Sequence, residues 1–183
     1  MNSSRLAPDI DNFVLRPATL SDAPALAALE EQLFGGEAWS QTLLEAELNS
    51  PEDRSFLVVA PQTAPEELAG YGEIWVGDGR GDADILTIAT AASWQRRGVG
   101  RRLLETMIAI AWDAGCQSVL LEVRASNAAA QSLYTRVGFE TLGKRRNYYQ
   151  NPPEDALVMR LYNPKTRVGA VGSEVADQPK QNS

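Results

Sequence analysis

The chain has 183 residues, 24 acidic against 17 basic side chains, a formal net charge of −7, one cysteine and no histidine. That length allows one domain with tails, and a hydrophobic fraction of 44% is enough for a core. The missing histidine excludes a Ser-His-Asp triad and His-ligated zinc, the lone Cys116 excludes a disulfide framework or thiolate cluster, and the acidic balance argues against direct nucleic-acid binding.

Residues 1–12 read as a flexible extension. The first ten are polar and lack a signal-peptide core, and the longest apolar run, starting at Met107, is far too short to span a membrane. A cytoplasmic protein is expected. Residues 13–16 are a strand candidate. Thr19 is placed to cap a helix over 20–33, with Leu26, Leu29 and Leu33 on one side, and Gly35-Gly36 breaks it. Ser40 caps a second helix through Leu48, stopped by Asn49-Ser50-Pro51. Strands 56–60 and 68–76 flank a proline-containing loop, residues 77–81 form a turn, and the apolar run 85–89 reads as a buried strand. Val99, Leu103, Met107, Ile110 and Ala114 recur every three or four residues, the stripe of an amphipathic helix, with Gly115 as its C-cap. In strand 118–123, Val119, Leu121 and Val123 share one face, and Leu120 and Glu122, with Arg124 beyond, share the other. A helix over 127–137 closes at Gly138, and strands 141–149 and 157–162 are separated by Asn151-Pro152-Pro153. The polar tail 163–183 has no aromatic residue and is expected to be disordered. The order β-α-α-β-β-β-α-β-α-β-β predicts an α/β domain over 13–162, a mixed sheet with helices on its faces.

The segment Gln95-Arg96-Arg97-Gly98-Val99-Gly100-Arg101 joins the buried strand to the long helix. The first-turn N–H groups of a helix have no intrahelical partners, and the helix dipole favours an anion there. Gly98 and Gly100 let a ligand approach the backbone, and Arg96, Arg97 and Arg101 add positive charge, so the loop reads as a phosphate cradle. Glu122, about 20 residues on, fits a dinucleotide site. Two features weigh against that: Leu103 stands where a third glycine belongs, and only one clean strand-helix-strand unit is present. No Lys-Ser or Lys-Thr follows the glycines, so a Walker loop is worse. Coenzyme A needs the same pyrophosphate cradle without a ribose carboxylate.

Taken with Leu121-Glu122-Val123-Arg124-Ala125-Ser126-Asn127-Ala128-Ala129-Ala130, Leu133-Tyr134 and Gly138-Phe139, the loop resembles the GNAT acetyltransferase superfamily. Arg145-Arg146-Asn147-Tyr148-Tyr149 narrows the likeness to its RimI branch, the ribosomal-protein-alanine N-acetyltransferases. The resemblance runs over residues 13–161 and is strongest over 88–149. It implies the GNAT acyl-CoA N-acyltransferase fold, with a mixed, mostly antiparallel sheet flanked by helices. It implies acetyl-CoA as cofactor and, as substrate, the N-terminal alanine of the eighteenth small-subunit ribosomal protein. By the same resemblance, the backbone of Ile88, Ala89 and Thr90 would run along the pantetheine. Arg96, Arg97, Gly98, Val99, Gly100 and Arg101 would hold the pyrophosphate, and Asn127 would lie near the thioester. Glu122 would be the general base, Tyr134 the general acid, and Arg145, Asn147, Tyr148 and Tyr149 would help receive the acceptor. Thr90 and Ala91-Ala92 depart from the usual valine and Asp-Pro, at positions contacted mainly through backbone.

The chemistry also stands without the resemblance. A protonated amine must lose a proton before it attacks, and a departing thiolate benefits from one. Glu122, at the end of a core strand and partly buried, suits the first task; the alternative is an exposed glutamate paired with Arg124. Asn127 and Tyr134, seven apart, share a helix face with small Ala130 between them; the alternative is a core tyrosine packed on Phe139. Residues 145–149 otherwise read as a solvated edge strand. Trp39 either covers the acceptor groove or belongs to the core at a helix start. Cys116 is expected to be buried and inert. Two further functions stay open: an acetyltransferase of the same fold acting on a small amine, and a non-catalytic acyl-CoA-binding module, against which the presence of both Glu122 and Tyr134 argues. No metal or membrane is expected, and the chain should be a monomer or weak dimer.

Overall fold

A computed structural model of the chain describes residues 12–49 and 53–167. The expectations for residues 1–11 and 168–183 fall outside them. One seven-stranded sheet runs through the domain. Its strands are β1 (Phe13–Pro17), β2 (Arg54–Pro61), β3 (Gly70–Trp75), β4 (Asp82–Thr90), β5 (Ser118–Arg124), β6 (Glu140–Gln150) and β7 (Pro153–Tyr162). The helices are α1 (Ala23–Phe34), α2 (Gln41–Leu48), α3 (Val99–Ala114), α4 (Ala128–Val137) and the short α5 (Pro164–Arg167). The sheet order is β1-β2-β3-β4-β5-β7-β6, and among the described residues every neighbouring pair is antiparallel except β4 with β5.

Alternation along the strands builds two cores. Leu57, Val59, Ile74, Ile85, Val119, Leu121 and Val123 face α3 and α4. Val99, Leu103 and Met107 of the predicted α3 stripe are buried there, but the stripe continues through Leu104, Ile108 and Ala111, leaving Ile110 half-buried and Ala114 exposed. The close seat of α3 on β3 depends on glycine: a Cβ on Gly70 would come within 2.7 Å of the Ala89 carbonyl oxygen and 2.9 Å of Val99 Cγ1. Phe56, Val58, Ala60, Tyr71 and Ala89 face the other way, against Leu26, Leu29 and Leu44 of α1 and α2. This second core draws on β2, β3 and the end of β4 only. The same face of β5, β7 and β6 is left without a covering helix among the described residues.

Several boundaries differ from the sequence reading. Thr19 and Asp22 form a capping box around a 3-10 turn at residues 20–22, and α1 starts only at Ala23, with Pro24 in its first turn. β4 begins at Asp82 rather than residue 85, because Asp82 and Ala83 pair with Ser118 and Val119 of β5. β7 begins at Pro153, so β6 and β7 form a tight hairpin. Residues 163–167, read as the start of a disordered tail, are ordered. Buried Asn163 donates to the Cys116 carbonyl at 3.0 Å and starts α5 by accepting from the Lys165 N–H at 3.0 Å. Cys116 is buried.

Candidate active site

The site grows from a break in the parallel pair. β4 and β5 are in register from Asp82↔Ser118 to Ile85↔Leu121 and part after that. The strand β4 also bulges there: Ile74 opposes Ile85 and Glu73 opposes Thr87, so Leu86 is an extra residue. A bulge bends its strand and ends regular pairing. Residues 86–90 therefore face a gap, and Glu122 lies on the stretch of β5 that runs on beyond the parting.

The gap opens into a cleft of about 790 Å³ between β4, α3 and α4. Ile88, Ala89, Thr90, Arg96, Gly98, Val99, Gly100, Arg101, Asn127 and Tyr134 all line it, residues spread over nearly fifty positions of sequence. The glycine loop turns as its composition requires. Gly98 is the N-cap of α3 at φ 87°, and Arg96 also adopts a left-handed conformation at φ 61°. No side chain caps α3, so its first N–H groups are free for an anion at the floor of the cleft. A Cβ on Gly100 would lie 3.3 Å from Thr90 Oγ1 and 3.8 Å from Leu133 Cδ2, in space the glycine leaves clear. This cradle fits a pyrophosphate. Arg101 pairs with Glu105 at 2.7 Å on the exposed side of the helix. Arg97 does not line the cleft: its guanidinium lies 4.8 Å above the Trp94 ring, a cation–π seat that turns it aside.

Across the cleft, Asn127 caps α4 by accepting from the Ala130 N–H at 3.1 Å. Tyr134, on the same face, is 5% exposed and packs on Phe139 with ring centroids 5.9 Å apart. It thus holds both places that the sequence left open, core and cleft. Burial, and secondarily the nearby Tyr149, push its phenol up to about 12. The hydroxyl keeps its proton at any physiological pH.

The other side of the gap is the uncovered face of β5, β7 and β6. Glu122 is 26% exposed there and pairs with Arg145 at 3.0 Å, not with Arg124. Arg124 is engaged elsewhere: by Glu37 at 3.2 Å, by Glu154 at 3.4 Å and by the Tyr149 ring, 4.0 Å from its Cζ. The strand β6 loses register between Arg145 and Tyr149. Asn147 there takes φ 50°, and its N–H donates to Asp155 Oδ1 at 2.9 Å. That irregularity re-aims Tyr148 and Tyr149, which meet edge to face at 5.1 Å. Burial raises the Tyr149 phenol, Tyr148, Glu122 and Glu154 add to this, and Arg124 opposes it.

Trp39 lies at the start of α2. It is half-buried against the α1/α2 core, and its backbone N–H donates to Glu30 Oε2 at 2.9 Å. Glu30 is itself buried and accepts from the Tyr71 hydroxyl. Neither Glu30 nor Asp84 stood out in the sequence. Asp84 lies on β4 opposite Leu120, so it shares a face with Glu122. Burial raises its carboxyl, as do the charges of Glu122 and Asp82, and Arg145 opposes them. An acidic residue two places ahead of a bulge carries no local signal of such a role.

Three kinds of likeness bear on this site. The acetyltransferase (GNAT) family matches residues 23–139. The N-alpha-acetyltransferase RimI of Mycobacterium tuberculosis is 36% identical over 156 residues, covering 83% of this chain and 94% of the relative. The crystal structure of the ribosomal-protein-S18-alanine N-acetyltransferase from Escherichia coli superposes with a TM-score of 0.71 at 31% identity, covering 82% of this chain and 93% of that one. Arabidopsis thaliana NAA60 in complex with acetyl-CoA shares the fold, with a TM-score of 0.72 at 18% identity over 82% of this chain and 99% of that one. A cradle for pyrophosphate, a gap between two parting strands and these relatives lead to one conclusion: the chain belongs to the GNAT acetyltransferase family, is an N-acetyltransferase of the RimI type, and uses acetyl-CoA.

Proposed function

We propose that this enzyme acetylates the N-terminal α-amine of a protein, and that its substrate is the N-terminal alanine of the eighteenth small-subunit ribosomal protein. The observation that carries the reading is the placement of Glu122 and Tyr134 at the gap between β4 and β5. Glu122 opens onto the uncovered sheet face, and Tyr134 lines the cleft. An acceptor amine on the open face and a thioester in the cleft would meet between them. Acetyl-CoA supplies the activated acetyl group.

Every other task falls to the chain. The α3 N-terminus and the loop residues Arg96, Gly98 and Arg101 hold the pyrophosphate. Residues 88–90 offer backbone along the unpaired edge of β4. Glu122 accepts a proton from the acceptor ammonium, directly or through one water, which leaves a lone pair on nitrogen for attack. Tyr134 would donate its proton to the sulfur as the carbon–sulfur bond breaks, and the second proton that the nitrogen sheds on becoming an amide would return the phenol to its neutral form. Its raised phenol suits it to stay a donor until that moment. Tyr148, Tyr149 and Asn147 wall the open face where the first residues of a peptide would lie. This wall favours a peptide over a small amine, and the activities for which the relatives are named agree with that choice.

The test is acetylation of a peptide panel that differs in its first two residues, with mass spectrometry locating the acetyl group. N-terminal acetylation strongest on alanine is expected. Acetylation confined to internal lysines, or to polyamines and aminoglycosides offered in parallel, would overturn the proposal.

A further inference from the structure

The open face already holds a cation where the acceptor has to place one. Resting on the proposed acceptor site, the inference starts from the ion pair of Arg145 Nη1 with Glu122 Oε1 at 3.0 Å, with side chains 57% and 26% exposed. The two residues are not strand neighbours. Glu122 of β5 opposes Val158, and Arg145 of β6 opposes Ala156, so the guanidinium reaches across β7. Asp84 is on the same face of the adjoining strand. Arg145 pairs with Glu122 and its charge also acts on Asp84, and Arg124 is committed elsewhere, to Glu37, Glu154 and Tyr149. A peptide α-ammonium carries the same charge as Arg145 and needs the same carboxylate.

We propose that Arg145 is a positioning residue that stands in for the acceptor's α-ammonium. In the free enzyme it holds the Glu122 carboxylate in place, and an arriving N-terminus exchanges for it. The displaced guanidinium has two seats on the same face. Its Cζ already lies 5.6 Å from the centre of the Tyr148 ring, and Asp84 offers a carboxylate whose ionisation Arg145 assists. An exposed ion pair is weak enough to be traded in this way, whereas a buried one is not. The exchange also favours a charged acceptor: an uncharged group at the same position leaves Arg145 on Glu122.

Steady-state kinetics with an alanine-initiated peptide at saturating acetyl-CoA test the exchange. Arg145→Gln should lower the peptide KM about fivefold, the size expected when an exposed ion pair stops competing. Arg145→Lys, which restores a cation, should move KM back toward the wild-type value. A KM that rises in Arg145→Gln would make the guanidinium a peptide contact instead. A fall in kcat with KM unchanged would place it in the chemical step, and either result overturns the proposal. A second readout needs no turnover, so it is separate from the identity of the acceptor. The Nε–Hε NMR resonance of Arg145, assigned with Arg145→Lys, should move on addition of L-alaninamide and stay in place with N-acetyl-L-alaninamide. Equal responses to the two, or none to either, would overturn the exchange even if peptides are acetylated.

Discussion

At the scale of single residues, the two ends of the reaction make different demands. Glu122 prepares the nucleophile, so its loss matters most where the amine is charged. Glu122→Gln should slow turnover by about 10²-fold or more near neutral pH, and the defect should shrink as pH rises and more amine arrives neutral. Tyr134 acts on the leaving sulfur, and a thiolate leaves fairly well unaided. Tyr134→Phe should therefore cost less, and rising pH should not rescue it. Neither side chain holds the pyrophosphate, so acetyl-CoA affinity should change little in both. Paired pH–rate profiles under conditions where chemistry limits turnover distinguish the roles; wild-type kcat in Glu122→Gln at neutral pH would remove Glu122 as the base. The types and spacing of these residues were legible in the sequence. The partner of Glu122 was not, because strand alternation gives a side chain's face but not which group from a non-adjacent strand reaches it. Arg97 misses its expected place for the same reason, its guanidinium seated on the Trp94 ring.

At the scale of elements, capping and glycine placement decide where the site's parts start. Asp22 joins β1 to α1: it accepts from Arg16 at 2.8 and 2.7 Å and from the Thr19 N–H at 2.8 Å. The Arg16 hydrogen bonds hold its carboxyl down at about 2, against the opposing effect of burial. A carboxyl lowered on folding stabilises the fold above its ordinary range near 4 and loses that contribution as pH falls toward 2. Asp22→Asn should lose about 2 kcal/mol near neutrality, with the deficit vanishing in acid; urea unfolding across pH 2–7 measures it. The α3 N-terminus makes a separate prediction. Gly100→Val would carry branched carbons toward Thr90 and Leu133 across the cleft. Acetyl-CoA affinity should fall on the order of tenfold, about 1.4 kcal/mol, with the thermal midpoint nearly unchanged, as calorimetry and thermal unfolding will show. The amphipathic stripe and both glycine stops of α3 were legible, since helix period and C-cap chemistry are local. The early end of pairing between β4 and β5 was not, because a bulge at Leu86 leaves no mark in an apolar strand.

At the scale of the whole molecule, the formal charge of −7 acts at a distance. A basic acceptor peptide should be drawn in and a neutral one should not. At peptide concentrations below KM, acetylation of a Lys/Arg-rich peptide should slow several-fold as salt rises to about 1 M, where the Debye length is about 3 Å. A neutral peptide with the same first two residues should keep its rate. A flat salt response for both would mean that local contacts alone recruit the acceptor.

What the sequence determined by itself was the order of elements, the glycine loop at a helix start, and the residue types needed for proton transfer. Each depends on interactions within a few residues, where periodicity, caps and turns follow from the local chain. Tertiary structure decided how those parts meet. The placement of β7 between β5 and β6, the parting of β4 from β5, and the reach of Arg145 across β7 to Glu122 all arise from contacts between distant segments. Such pairings are selected by the joint packing of the sheet and its helices, and the local sequence at either end of them carries no trace of the partner.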